Sequence, residues 1–265
     1  MKLIHTFLLV GMLAMSGCGK KAPTPFLELV QKAEAGNKKA QCDLGFCYFK
    51  GESVTQDKKE AAKWWTKSAG LGDSTAQASL ALCYFSGEGV TQDYKQAVKF
   101  WMQAAEQGHP LGQSSLGCCY LKGSGVAQDY KEAVKWFTKA AEQQDRVAQY
   151  YLGNCYHKGQ GVARNSKEAV KWWMKAAVRG DSNAQCKIGE CYFYGQGVGK
   201  DYKEAIKWFK EAAEQANAQA QCCLGIAYVA GNGVTQDFEE ALKWFKISAA
   251  QGNEVAKTAL EKFNH

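Results

Sequence analysis

Cysteine and histidine are the first candidates for chemistry in this chain of 265 residues, which carries eleven of one and four of the other. Together they could hold zinc, cysteines alone could pair, and either could take part in nucleophilic catalysis. The spacing argues against a metal centre. There is no C-x-x-C, and His5, His109, His157 and His265 are scattered; His157 follows Cys155 by two residues, with no further ligand beside them. Hydrolytic chemistry has no better footing. An S-x-x-K accompanied by S-D-N and K-T-G is absent, and no serine or cysteine has a base placed beside it by the pattern. The expectation is a chain without a cofactor, a metal site or a catalytic centre.

The cysteines do share a register. Ala40 returns as Ala76, Ala148, Ala184, Ala220 and Ala256, with Gly112 at the remaining place, so the period is 36 residues. Around that column runs A-Q-x-x-L-G-x-x-Y-x-x-G-x-G-V-x-x-D-x-x-E-A-x-K-W-F/W-x-x-A-A, written six times. A fixed period of this length predicts a stack of units that bury their apolar faces on one another. Composition agrees with a folded chain: 46% apolar, 22% charged, and a net charge of +7 without any block of like charges. That mild basicity does not point to nucleic acid.

Each copy reads as two helices. In the fourth, Ala148, Leu152, Gly153, Cys155 and Tyr156 fall on a helical face, and Lys158-Gly159-Gln160-Gly161-Val162 closes it. The second helix starts near Asn165, carries Ala169, Val170, Trp172, Trp173, Ala176 and Ala177, and is expected to end at Gly180. A start signal recurs at Asp57/Glu60, Asp93/Gln96, Asp129/Glu132, Asn165/Glu168, Asp201/Glu204 and Asp237/Glu240, the spacing of a capping box. Gly45, Gly117, Gly153, Gly189 and Gly225, with Ala81 in the second copy, leave room for facing aromatics: Trp64/Trp65, Phe100/Trp101, Trp136/Phe137, Trp172/Trp173, Trp208/Phe209 and Trp244/Phe245. Both rings of each pair are expected in the core, as are Tyr48, Tyr84, Tyr120, Tyr156, Tyr192 and Tyr228.

The first residues form a different kind of segment. Lys2 precedes a short apolar run ending Met15-Ser16-Gly17-Cys18, too short to remain across a bilayer and shaped like a secretory signal. It resembles a bacterial lipoprotein leader, which implies cleavage before Cys18 and lipid on Cys18; a plain signal peptide cut nearby is the alternative. With Gly19 and Lys20 following, the resemblance implies sorting to the outer membrane. The expected organisation is a leader at 1–17 and a lipidated tether at 18–25. A capping helix at 26–39 precedes repeats at 40–75, 76–111, 112–147, 148–183, 184–219 and 220–255, and a last capping helix occupies 256–265.

The repeated motif resembles Sel1-like repeats, relatives of tetratricopeptide repeats. In the fifth copy the matching residues are Ala184, Gln185, Ile188, Gly189, Tyr192, Gly195, Gly197, Val198, Asp201, Ala205, Trp208, Ala212 and Ala213. Departures are few: Ser53 replaces a loop glycine, Asn165 a cap aspartate, and Gln144 and Ala216 the closing glycine. The resemblance implies an all-α solenoid, a right-handed superhelix with the first helices on its concave side, used for protein–protein contact. Some cysteine-rich relatives bridge a second helix to the next first helix. Here no second helix contains cysteine. Cys47, Cys83, Cys119, Cys155 and Cys191 stand seven places into their copies, Cys42, Cys186 and Cys222 two places, with Cys118 and Cys223 singular. Equivalent positions on neighbouring first helices lie about 10 Å apart, beyond the roughly 7 Å a disulfide tolerates. Buried thiols are therefore expected, with staggered pairs such as Cys191 and Cys223 left open.

Columns that vary between copies are free to read a partner. On the first helices they lie two, six and ten places into the copy, one face of a helix. The middle copies present Lys122, Tyr150, Asn154, Lys158, Glu190 and Tyr194, the polar set expected to bind a protein or peptide; drift on an unconstrained surface would look the same. Lysines at 59, 63, 67, 95, 99, 131, 135, 139, 167, 171, 175, 203 and 207 make a ridge on the second helices, facing anionic lipid, an acidic partner or solvent. The leading reading is a monomeric, non-catalytic, lipid-anchored envelope scaffold. The alternative, a β-lactam- or peptidoglycan-directed protein, would hydrolyse a chromogenic β-lactam or sediment with cell wall.

Overall fold

The computed structural model describes residues 24–263; the leader, Cys18, the tether up to residue 23, and His5 and His265 lie outside the described residues. Among the described residues there are fourteen α-helices and no strand. They are α1 (Thr24–Glu34), α2 (Lys38–Lys50), α3 (Lys58–Gly70), α4 (Ser74–Ser86), α5 (Tyr94–Glu106), α6 (Pro110–Lys122), α7 (Tyr130–Glu142), α8 (Arg146–Lys158), α9 (Ser166–Ala177), α10 (Ser182–Tyr194), α11 (Tyr202–Glu214), α12 (Ala218–Ala230), α13 (Phe238–Ala250) and α14 (Glu254–Phe263). Two compact units divide after Gln128. The first holds α1 to α6, the second α7 to α14, and within each unit helices consecutive in the chain pack together.

Every second helix is capped where its Asp or Asn stands. Asp57 accepts from the backbone N–H of Lys59 and Glu60, both at 2.9 Å, and Asn165, Asp201 and Asp237 accept from Glu168, Glu204 and Glu240. Each such cap is worth about 1 kcal/mol. The first helices carry caps as well. Asn37, Asp73, Asp145, Asp181 and Asn217 each accept from the N–H three residues on. His109 does the same through Nδ1 to Gly112 N, at 3.4 Å. Glycines such as Gly159 (φ +72°) end the first helices in the left-handed conformation. α9 stops at Ala177 rather than running to Gly180, which instead closes the following turn at φ +81°.

The invariant glutamine of the motif joins one hairpin to the next. Its buried side-chain amide donates to a carbonyl eight residues earlier, at the end of the preceding second helix: Gln77 to Ala69, Gln149 to Ala141, Gln185 to Ala177 and Gln221 to Ala213. Gln41 makes the same bond to Ala33 at 3.0 Å, so α1 plays the part of a second helix. The same carbonyl accepts from the closing turn, as Ala69 O does from Gly72 N at 3.0 Å, so the glutamine fills its second lone pair.

The aromatic pairs split. In four copies the second ring is buried against the glycine of its own hairpin: Trp65 at Gly45, Trp173 at Gly153, Phe209 at Gly189 and Phe245 at Gly225. A Cβ on Gly153 would stand 2.5 Å from Trp173 Cδ1, and one on Gly189 would stand 2.5 Å from Phe209. Trp65 and Trp173 donate Nε1–H to the carbonyls of Cys42 and Tyr150, each at 3.2 Å. In the second copy, where Ala81 replaces glycine, the buried Trp101 Nε1 has no acceptor. The first ring instead reaches the preceding hairpin: Phe100 packs on the cluster of α2 and α3, Trp208 on that of α9 and α10. Lysines cover the outer faces of several of these first rings, Lys67 at 3.6 Å over Trp64 and Lys175 at 3.9 Å over Trp172. Of the tyrosines expected in the core, Tyr48 is buried, while Tyr84, Tyr120, Tyr156, Tyr192 and Tyr228 stay half-buried.

The closing position has φ near +80° when glycine fills it, and Gln144 and Ala216 adopt φ +64° and +59° in the same place. A side chain pays for this conformation. Gln144→Gly is expected to raise stability by about 0.5–1 kcal/mol, the relief of left-handed strain less the entropy glycine loses on folding. Equilibrium urea denaturation reads it, and a lowered midpoint would contradict it.

Candidate functional site

The second unit gathers most of the variable row. Tyr150 and Asn154 sit half-buried on α8 with Lys158 exposed at its end, and Glu190 and Tyr194 lie on α10. Lys122 is exposed at the end of α6 in the first unit.

One residue absent from the row organises the site. Lys187 lies one place off the variable stripe, half-buried, with its ammonium 2.7 Å from Glu190. Burial works against its charge, but the Glu190 carboxylate, and to a lesser degree the Tyr150 hydroxyl, hold its pKa above the ordinary lysine range. His157 faces the same group. Burial first, then the charges of Lys187 and Arg164, push its pKa down against a smaller pull from Glu190, so the imidazole is neutral at physiological pH. The His157 ring rests on Trp173, centroids 5.3 Å apart. Tyr194 is 59% exposed and meets Phe193 edge-on at 5.1 Å. Partial burial raises its pKa, with Glu190 among the charges it feels. The result is a partly desolvated Lys187–Glu190 pair with a tyrosine to either side. Such a surface can donate, accept and stack, and it holds no activated nucleophile.

None of the ten described cysteines is in a disulfide. Burial pushes Cys42 and Cys191 up to about 12 and Cys83, Cys119, Cys155 and Cys222 up to about 11, leaving them protonated and unreactive. Among the described residues no three His, Cys, Asp or Glu side chains gather as metal ligands would. Cys223, which sequence spacing would allow to pair with Cys191, instead lies in one buried cluster with Cys186. Cys191 belongs to the cluster around Trp173.

Part of the lysine ridge is occupied by ion pairs, and Lys243 beyond it follows the same pattern. Lys63, Lys135, Lys171, Lys207 and Lys243 each pair with the capping-box glutamate three residues before, at 2.5–3.0 Å. Being exposed, each pair adds little to stability. In the first unit, the first-helix side carries an apolar pocket of about 210 Å³ lined by Phe46, Phe49, Trp65, Ala78, Leu82 and Leu111. Phe46 and Leu82, six places into successive copies, were the visible signal for it.

Helices stacked in register, with conserved small-residue packing and a variable face, define a helical-repeat protein whose side chains are displayed rather than enclosed. The Sel1 repeat family profile matches residues 38–73, 74–109, 110–145, 146–181, 182–217 and 218–253. The chain belongs to the Sel1-repeat family. Each matched copy begins at the start of a first helix, two residues before the alanine column. Sel1 repeats generally mediate protein–protein interaction, and their proteins are generally non-catalytic scaffolds.

Among solved structures, the chain is similar to c5321, a protective antigen present in uropathogenic Escherichia coli strains, at 38% identity and a TM-score of 0.78. The match covers 86% of this chain and 49% of that one, so this chain spans about half its relative's length. A Sel1 repeat protein from Oxalobacter formigenes is 29% identical with a TM-score of 0.79, over 93% of this chain and 96% of that one. Immunity protein PA5088 from Pseudomonas aeruginosa shares the fold at 17% identity and a TM-score of 0.51, over 82% of each chain. No curated protein matches the sequence.

Proposed function

We propose that this chain is a non-catalytic adaptor of the bacterial envelope, tethered by lipid on Cys18 and facing the periplasm from the outer membrane. It captures a protein or peptide segment on the face formed by Tyr150, Asn154, Lys158, Lys187, Glu190 and Tyr194. The observation that carries the reading is the Lys187–Glu190 pair, 35% and 21% exposed, set between two tyrosines in the part of the repeat that packing leaves free to vary. Aromatic side chains beside a partly desolvated charge are the usual anchors of a binding patch. Helices already folded keep the ordering cost of association low. Lys122, exposed on the first unit, is proposed as a contact of that unit's own.

The test is crosslinked capture from envelope membranes with the lipidated chain, repeated with Tyr150→Ala and Tyr194→Ala together. Capture is expected to fall about tenfold or more, the loss of one to two binding anchors, with helical circular dichroism unchanged. Equal capture by the double variant would argue against this face. The tether is tested separately: Cys18→Ser is expected to move the protein from the membrane to the soluble fraction, because several acyl chains hold a protein far better than an apolar stub. Retention on the membrane would remove the anchor from the proposal.

A further inference from the structure

We propose that Cys186 and Cys223 are an oxidisable dithiol that closes to a disulfide on meeting an exchangeable disulfide, either a small molecule or a protein oxidant, and so staples α10 to α12. The Cys223 thiol is close enough to Cys186 to raise its pKa, while Cys223 Sγ accepts from Gln219 Nε2–H at 3.7 Å. Both lie in one cluster with Ile206, Phe209 and Leu224, and α10 and α12 pack directly on each other. The contact comes from a stagger: Cys186 stands two places into its copy and Cys223 three, so the offset between neighbouring first helices turns one thiol toward the other. Equivalent positions would remain about 10 Å apart.

The surroundings make the pair selective. Cys222, the sequence neighbour, is buried in a separate cluster with Ala241, Phe245 and Ala256, and Cys191 faces α9. Cys223 is the more accessible of the two, at 9% exposed against 3% for Cys186. It lines a small pocket with Phe193, Tyr194, Phe209 and Ile226, which is the route for an incoming oxidant.

The exchange runs in two steps. The Cys223 thiolate attacks one sulfur of a disulfide RSSR, forming a Cys223–SR mixed disulfide and expelling RS⁻. Cys186, once deprotonated, attacks the Cys223 sulfur, forms the Cys186–Cys223 bond and expels the second RS⁻. Two protein thiols lose two electrons and two protons, and RSSR becomes two RSH. The neighbouring Cys223 thiol and burial hold the Cys186 pKa well above the ordinary thiol range. Closure is therefore slow at neutral pH and faster as pH rises. The staple does not depend on the proposed partner-binding role.

The test incubates the full chain with oxidised glutathione at pH 8.5, blocks remaining thiols with N-ethylmaleimide and maps peptides by mass spectrometry. The expected result is one linked peptide pair joining Cys186 to Cys223, two fewer alkylated thiols, and a thermal midpoint several degrees higher that dithiothreitol reverses. Cys223→Ser should abolish the link and Cys222→Ser should keep it. Full alkylation of Cys186 and Cys223 would overturn the proposal. So would glutathione left on Cys223, a Cys223 link to Cys191 or Cys222, or a link that leaves the midpoint unmoved.

Discussion

Gly197→Ala is expected to destabilise the second unit by about 3 kcal/mol or more, whereas Gly180→Ala, a change of the same chemistry, should cost only about 1–2 kcal/mol. Both glycines are left-handed, at φ +76° and +81°. A methyl group on Gly180 meets nothing within 4 Å, so its cost is conformational alone. On Gly197 it would stand 2.5 Å from the Ser166 carbonyl oxygen and 2.7 Å from its carbon, against the first turn of α9. Backbone cannot swing aside as a side-chain tip can, so α10 and its loop must separate from α9. Gly89, Gly125, Gly161 and Gly233 meet the same element of the preceding hairpin, at Lys58, Tyr94, Tyr130 and Tyr202. Ser53 occupies that place in the first copy, where the equivalent partner would be residue 22, outside the described residues. Chemical denaturation of the two variants side by side checks the prediction. Equal costs would mean that the loop glycine serves the turn and not the contact between hairpins.

Periodicity made the helices legible because each physical need recurs at a fixed place. The Asp or Asn that opens α3, α5, α7, α9, α11 and α13 had to satisfy helix-end donors, and did so at one register. The caps of the first helices recur just as regularly, at Asn37, Asp73, His109, Asp145, Asp181 and Asn217, but their varied chemistry hides the column. Adjacent aromatics such as Trp172 and Trp173 looked alike as core residues. On a helix they point about 100° apart, and only one can enter its own hairpin. The site was less legible than the fold. Tyr150, Asn154, Glu190 and Tyr194 stand out as candidates because they vary between copies where the repeat motif is not fixed. Lys187 could not, since its importance lies in half-burial and in the reach of its ammonium to Glu190. The Cys186–Cys223 contact depends on the axial offset between α10 and α12, a quantity that no single repeat encodes.

Trp173→Ala should be the most costly side-chain deletion near the site, about 3–5 kcal/mol for a large aromatic removed from a packed core. The ring is 1% exposed, lies against Gly153, and donates Nε1–H to the Tyr150 carbonyl at 3.2 Å. Trp173→Phe separates these contributions. Phe137, Phe209 and Phe245 fill the equivalent place in other copies, so a phenyl ring fits the hairpin. Its expected cost is about 1 kcal/mol, mainly the lost hydrogen bond and a small void. The two variants should also differ at the surface. His157 packs against Trp173 at a 48° tilt, and Tyr150 is tied to Trp173 through its backbone carbonyl, so the alanine variant loosens both. Losing that burial, His157 should titrate nearer the ordinary imidazole value in Trp173→Ala and remain depressed in Trp173→Phe, as NMR of the imidazole protons would read. Should the phenylalanine variant lose as much stability as the alanine one, the indole N–H and not the ring's bulk would be what holds α8 against α9.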